Sequence, residues 1–147
     1  MNRIILIGNG FDLAHGMPTS YQDFLNDFWS NLWEKQSSTP GDKEYDDQML
    51  NITRSIPRRV DIENKEIYKE LKNDIQESGS ELVFKNKFLE VISEKSYIQN
   101  WVDIENEYYD LLKESYGDNT YPKYYKSVKV LNRDFSVIKD LLSEYLH

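Results

Sequence analysis

Apolar and polar positions alternate along this 147-residue chain in blocks with distinct periods. Arg3-Ile4-Ile5-Leu6-Ile7 is an unbroken aliphatic run halted by Gly8, the pattern of a strand buried on both faces of a mainly parallel sheet. Ser20 stands three residues before Asp23, a capping-box spacing with Asp in the place of Glu, which predicts a helix start. Phe24, Leu25, Phe28, Trp29, Leu32 and Trp33 then recur at helical spacing as a broad apolar stripe. Across residues 36–61 the period dissolves into Ser-Ser-Thr-Pro-Gly, an acidic patch and the Pro57 turn. That stretch is expected to be a mobile loop or insertion and a poor candidate for core. Ile67, Leu71 and Ile75 mark a charged surface helix that breaks at Ser78-Gly79-Ser80, and Val83, Phe84, Phe88, Val91 and Ile92 mark the next. Trp101, Ile104, Tyr108, Leu111 and Leu112 form a further stripe ending before Gly117. Val128, Leu131, Phe135, Ile138, Leu142 and Tyr145 recur at alternating threes and fours, a heptad seam.

This inventory predicts an α/β chain that is rich in helix and short of strands. One doubly buried strand needs neighbours, and three or more strands make a stable sheet. Ser127-Val128-Lys129-Val130-Leu131 offers a second short strand by alternation. The seam runs to within two residues of His147 with no glycine or proline stop. The expectation is therefore one domain over residues 1–147, or the N-terminal part of one, incomplete at its C-terminal end. The seam itself must be covered by the domain, by a partner helix or second copy, or by residues beyond the chain.

Composition narrows the chemistry. With 39% hydrophobic and 14% aromatic residues, the chain is too apolar for disorder. Its net charge of -8 repels phosphate backbones and anionic membranes. The one compact basic group, Arg54 with Arg58 and Arg59, reads better as a solvated loop than as a nucleic-acid patch. The absence of cysteine excludes disulfides, thiolate metal sites and cysteine nucleophiles. His15 and His147, the only histidines, have no ligand-like cluster near them in sequence, so no metal site is expected. No apolar run has the length of a membrane span, and a cytoplasmic protein is expected.

The chemistry-bearing feature is the turn Gly8-Asn9-Gly10 after the buried strand. Glycines there allow a tight turn and close approach of a ligand to the backbone. A helix following it gathers free N–H groups and a positive dipole end, a seat for phosphate. The spacing is not that of the common dinucleotide fingerprint, since the next glycine is Gly16, followed by Pro18, and a purely structural turn remains an alternative. Asp12 and His15 lie in the same loop as catalytic candidates. Glu105 is a third, because helical projection swings it in beside Trp101, Tyr108 and Leu112, where a carboxylate would need a partner or a raised pKa.

The run Gly8-Asn9-Gly10-Phe11-Asp12-Leu13-Ala14-His15-Gly16-Met17-Pro18-Thr19-Ser20-Tyr21, extended through Asp23 and Phe24, closely resembles the opening of the AbiH family of bacterial abortive-infection proteins. A second family-like stretch is Trp101-Val102-Asp103-Ile104-Glu105-Asn106-Glu107-Tyr108-Tyr109. The resemblance implies a role in phage defence and names no reaction. Family members are usually longer and carry later Asn-Tyr-Thr and Ile-His-Gly runs that this chain lacks. The first run is also similar to the sirtuin NAD-binding loop, with Gly8, Gly10, Gly16 and Pro18 on matching positions and Asp12, Thr19 and Tyr21 departing from it. That similarity implies a Rossmann-like cradle for NAD or another nucleotide, using Gly8, Asn9, Gly10, Phe11, Asp12, Gly16 and Pro18, with NAD degradation as an activity of a longer form. The rival expectation is a helical interaction module whose glycine turn is only structural and whose seam recruits a partner or a second copy.

Overall fold

The computed structural model describes residues 19–37, 44–53, 67–99, 103–116 and 122–147. The 3–7 strand and the arginine group at 54–59 lie outside them. Helix α1 (Tyr21–Ser37) is followed by β1 (Tyr45–Asp46), β2 (Leu50–Ile52), α2 (Ile67–Glu77), β3 (Leu82–Phe84), α3 (Lys87–Gln99), α4 (Ile104–Tyr116) and α5 (Val128–Tyr145). The three strands form one antiparallel sheet in the order β1-β2-β3, with Tyr45 opposite Ile52 and Leu50 opposite Phe84. The described elements are therefore helix-rich α/β, and the parallel sheet that a Rossmann-like fold requires is not shown.

The apolar stripe of α1 builds one wall of the core. Phe24, Leu25, Trp29, Leu32 and Trp33 are all buried, as five positions on one face of a 3.6-residue period should be. The Trp29 ring stacks obliquely on Tyr68 of α2 at 4.7 Å and meets Phe84 of β3 edge-on at 6.0 Å. Its Nε1 donates to Ser93 Oγ of α3 at 3.2 Å, so the buried indole dipole is satisfied.

The stretch expected to be loop instead contributes core. Leu50 and Ile52 are 0% exposed, Met49 is buried beside them, and Asn51 between them points outward, the alternation of a half-buried strand. Asp47 makes the turn, its Oδ1 accepting from the amides of Met49 at 2.7 Å and Leu50 at 2.9 Å. Local side-chain capping of this kind replaces the glycine turn that usually betrays a hairpin.

One helix start also differs from expectation. Leu82, Val83 and Phe84 form β3, and the helix begins at Lys87 because Asn86 caps it, accepting from the Leu89 amide at 2.9 Å. Residues 128–131 belong to α5 and not to a strand. The break after α2 is as predicted: Gly79 takes φ +68°, the left-handed geometry that a Cβ disfavours, and Ser80 N donates back to Ile75 O at 3.0 Å.

The heptad seam of α5 is covered by this chain's own helices. Leu131 and Ile138 are 0% exposed. Phe135 stacks on Tyr108 of α4 at 4.2 Å and meets Phe88 of α3 edge-on at 5.2 Å, while Tyr145 meets Phe24 of α1 at 5.9 Å. Val128 and Leu142 are half-buried on the same helix. Of the three covers weighed for the ridge, the domain itself supplies one over Leu131, Phe135 and Ile138.

Candidate functional site

Gly8, Asn9, Gly10, Phe11, Asp12, His15, Gly16 and Pro18 lie outside the described residues, which begin at Thr19. The structure does place the helix into which that loop runs. Ser20 and Asp23 form the expected box: Ser20 Oγ donates to Asp23 Oδ2 at 2.6 Å, and the Asp23 amide donates to Ser20 Oγ at 3.1 Å. The first turn of α1 is therefore fixed by its own side chains immediately after the glycine-rich segment.

The second family-like stretch begins α4 in a similar way. Asp103 Oδ1 accepts from the amides of Glu105 at 3.1 Å and Asn106 at 3.0 Å, and its Oδ2 accepts from Asn106 Nδ2 at 2.8 Å. The two starts lie side by side. Burial raises the Tyr21 hydroxyl pKa above its ordinary value, helped by the adjacent Glu105 carboxylate and then by Asp103. At the far end of α5, burial raises the Tyr145 hydroxyl too, with Asp23 and Asp27 of α1 adding to the effect. Helix α3 ties the corner together: Ser96 Oγ donates to Gln22 Oε1 of α1, and Lys95 pairs with Glu107 of α4. Motifs some 80 residues apart in sequence thus converge on the foot of the glycine-rich segment.

Glu105 is exposed at this corner, not on the apolar stripe. The acid on the inner side is Glu107, whose side chain is 12% exposed and is neutralised by Lys95. The reason is register: Ile104, Tyr108 and Leu111 define the inward face, and position 107 falls on it while 105 does not. Asp103 and Tyr21 were the residues whose role went unread. The usable signal was an Asp before an apolar run with Asn three residues on, a helix-start spacing.

Chemically the corner is acidic. Asp103 and Glu105 lie near the Tyr21 hydroxyl, and Asp23 and Asp27 near that of Tyr145, acids that accept hydrogen bonds from hydroxyl groups and repel phosphate. A cleft of about 360 Å³ on the side of α1 facing α5 is also acidic, with Asp27, Asp47 and Glu144 against Lys35.

The tyrosines carry a measurable consequence. Of the eleven, Tyr21, Tyr45, Tyr68, Tyr125 and Tyr145 have pKa values raised chiefly by burial, that of Tyr45 to about 12. A raised value means that the unfolded state loses its proton first. Their contribution to stability is intact below pH 10, the unfolded value, and is lost as pH rises through the raised folded values, about 12 for Tyr45. Tyrosinate absorbance and far-ultraviolet circular dichroism followed together should show the buried Tyr68 and Tyr125, bonded to Glu94 and Asp134, ionising in one step with loss of helix. Ionisation of all eleven with the helices intact would contradict the burial assigned here.

Among the described residues no helix is long and apolar enough to cross a membrane. No curated protein and no solved structure matches the chain. The family model for bacteriophage abortive infection AbiH matches residues 4–144, a span that takes in both converging motifs and the sheet and helices between them. The chain belongs to the AbiH family of bacteriophage abortive infection proteins.

Proposed function

We propose that this AbiH protein serves phage defence by binding a nucleotide at the glycine turn, with the acidic corner at the foot of α1 facing the ligand's sugar. The observation that supports this reading is the convergence of the helix starts at Tyr21 and Asp103, because each family-like stretch contributes one half of the corner. In this reading the amides of Gly8, Asn9 and Gly10 hold phosphate, the two glycines leaving the backbone open to the ligand. Glu105 and Asp12 accept hydrogen bonds from ribose hydroxyls, a task that suits acids which would otherwise repel the phosphates. NAD and ADP-ribose are the ligands of choice, on the strength of the glycine spacing. Cleavage of the nicotinamide ribosyl bond is assigned to longer forms of the protein.

Calorimetric titration of NAD and ADP-ribose into the wild type and Gly10→Val tests this. The expected result is saturable binding that disappears in the variant, whose added Cβ branch blocks the approach of phosphate to the turn. Silence for both ligands in folded wild-type protein would overturn the reading.

A further inference from the structure

We propose that the cationic cleft where α3 and α5 begin is a second binding site, taking a small molecule with a phosphate chain, of the class of nucleoside di- and triphosphates. It holds about 320 Å³ and is lined by Lys85, Lys87, Lys123, Lys126 and Arg133, with Asp134 the only acid among its described lining residues. Five cations thus line one hollow of a chain whose net charge is -8.

The arrangement turns negative charge inward and positive charge outward. Asp134 is 3% exposed, and its Oδ2 accepts from the buried Tyr125 hydroxyl at 2.9 Å and the Lys87 amide at 3.2 Å. Its Oδ1 accepts from Arg133 Nε at 3.1 Å and Nη2 at 2.8 Å. Arg133 is thereby fixed by one edge while its side chain stays 68% exposed, leaving guanidinium donors for a ligand. Lys85 and Lys87 are paired with Asp46 and Glu90. Lys123 and Lys126 are exposed and have no carboxylate at ion-pair distance among the described residues. The segment bearing them is anchored, since the Lys123 amide donates to Glu114 Oε1 of α4 at 2.6 Å. The Lys123 ammonium rests over the Tyr124 ring at 4.6 Å, an aromatic wall for the cleft.

Size and charge select the occupant. The volume lies at the lower end of small-ligand pockets, which run from roughly 300 to 1,000 Å³. A long polyanion would extend from the hollow onto an acidic surface that repels it. Lys87, at the cleft, and Ser96, bonded to Gln22 of α1, stand about 14 Å apart along α3.

The test is calorimetric titration of inorganic tripolyphosphate and ATP, in a phosphate-free buffer, into wild type, Gly10→Val and the double variant Lys123→Glu/Lys126→Glu. Both lysines are exposed, so the double variant folds, which circular dichroism verifies. Arg133→Gln gives a second, single-site perturbation. Binding to wild type and Gly10→Val, weakened about tenfold or more in both cleft variants, is the expected result. Absence of saturable binding, equal affinity in the cleft variants, loss in Gly10→Val, or tighter binding of single-stranded DNA than of ATP would overturn the proposal.

Discussion

Substituting Asp for Ile138 should leave the chain without a folded state. Ile138 is fully buried in the seam of α5, between the helices that meet Phe135 on one side and Tyr145 on the other. Removing the aliphatic side chain forfeits roughly 1.5–3 kcal/mol of burial. Leaving a carboxylate unpaired in its place costs several more, about 3–5 kcal/mol. The sum reaches the lower part of the roughly 5–15 kcal/mol that holds a whole domain together. Expression as insoluble protein, or a soluble chain lacking helical circular dichroism, is the expected outcome. Ser136→Asp, two residues away on the exposed face, should change stability by no more than about 0.5 kcal/mol. A folded, soluble Ile138→Asp protein of altered mass would show instead that the seam is an interface between chains.

That contrast locates what the residue pattern revealed. Long helices with a wide apolar stripe were legible because burial imposes the 3.6-residue period directly: the α1 stripe and the α5 seam are both in the core. The sheet was not, because its strands are two or three residues long and too short for alternation to register. Asp47 further disguised the β1–β2 hairpin, since an acidic stretch reads as solvated loop until its carboxylate is seen holding the Met49 and Leu50 amides. Val83 and Phe84 fell in phase with Phe88 and Val91, so β3 was absorbed into the following helix, although Asn86 marked the boundary. At the candidate site, the glycine turn and both family-like stretches were legible as motifs. Their meeting at Tyr21 and Asp103 depends on how α3 packs against α1 and α4, which no local pattern encodes.

The cationic cleft was hidden for a related reason. Its cations are spread over residues 85–133, never as a run, and became a cluster only when α5 docked on α3. The acid that orients Arg133 gives the second large effect, a test of hydrogen bonding against charge. Asp134→Ala should destabilise the protein by about 3 kcal/mol or more, because the buried Tyr125 hydroxyl and the Lys87 amide each lose an acceptor, at roughly 1–3 kcal/mol apiece. For a domain of this size that is a fall in Tm of roughly 6–12 °C. Asp134→Asn should cost far less, about 1 kcal/mol, since an amide oxygen in the Oδ2 position still accepts from both inner donors and only the exposed Arg133 pair is weakened. Thermal unfolding of the two variants beside wild type decides the matter. If Asn proves as damaging as Ala, the carboxylate acts by its charge, and the network is held by the Arg133 ion pair instead of by the two buried donors.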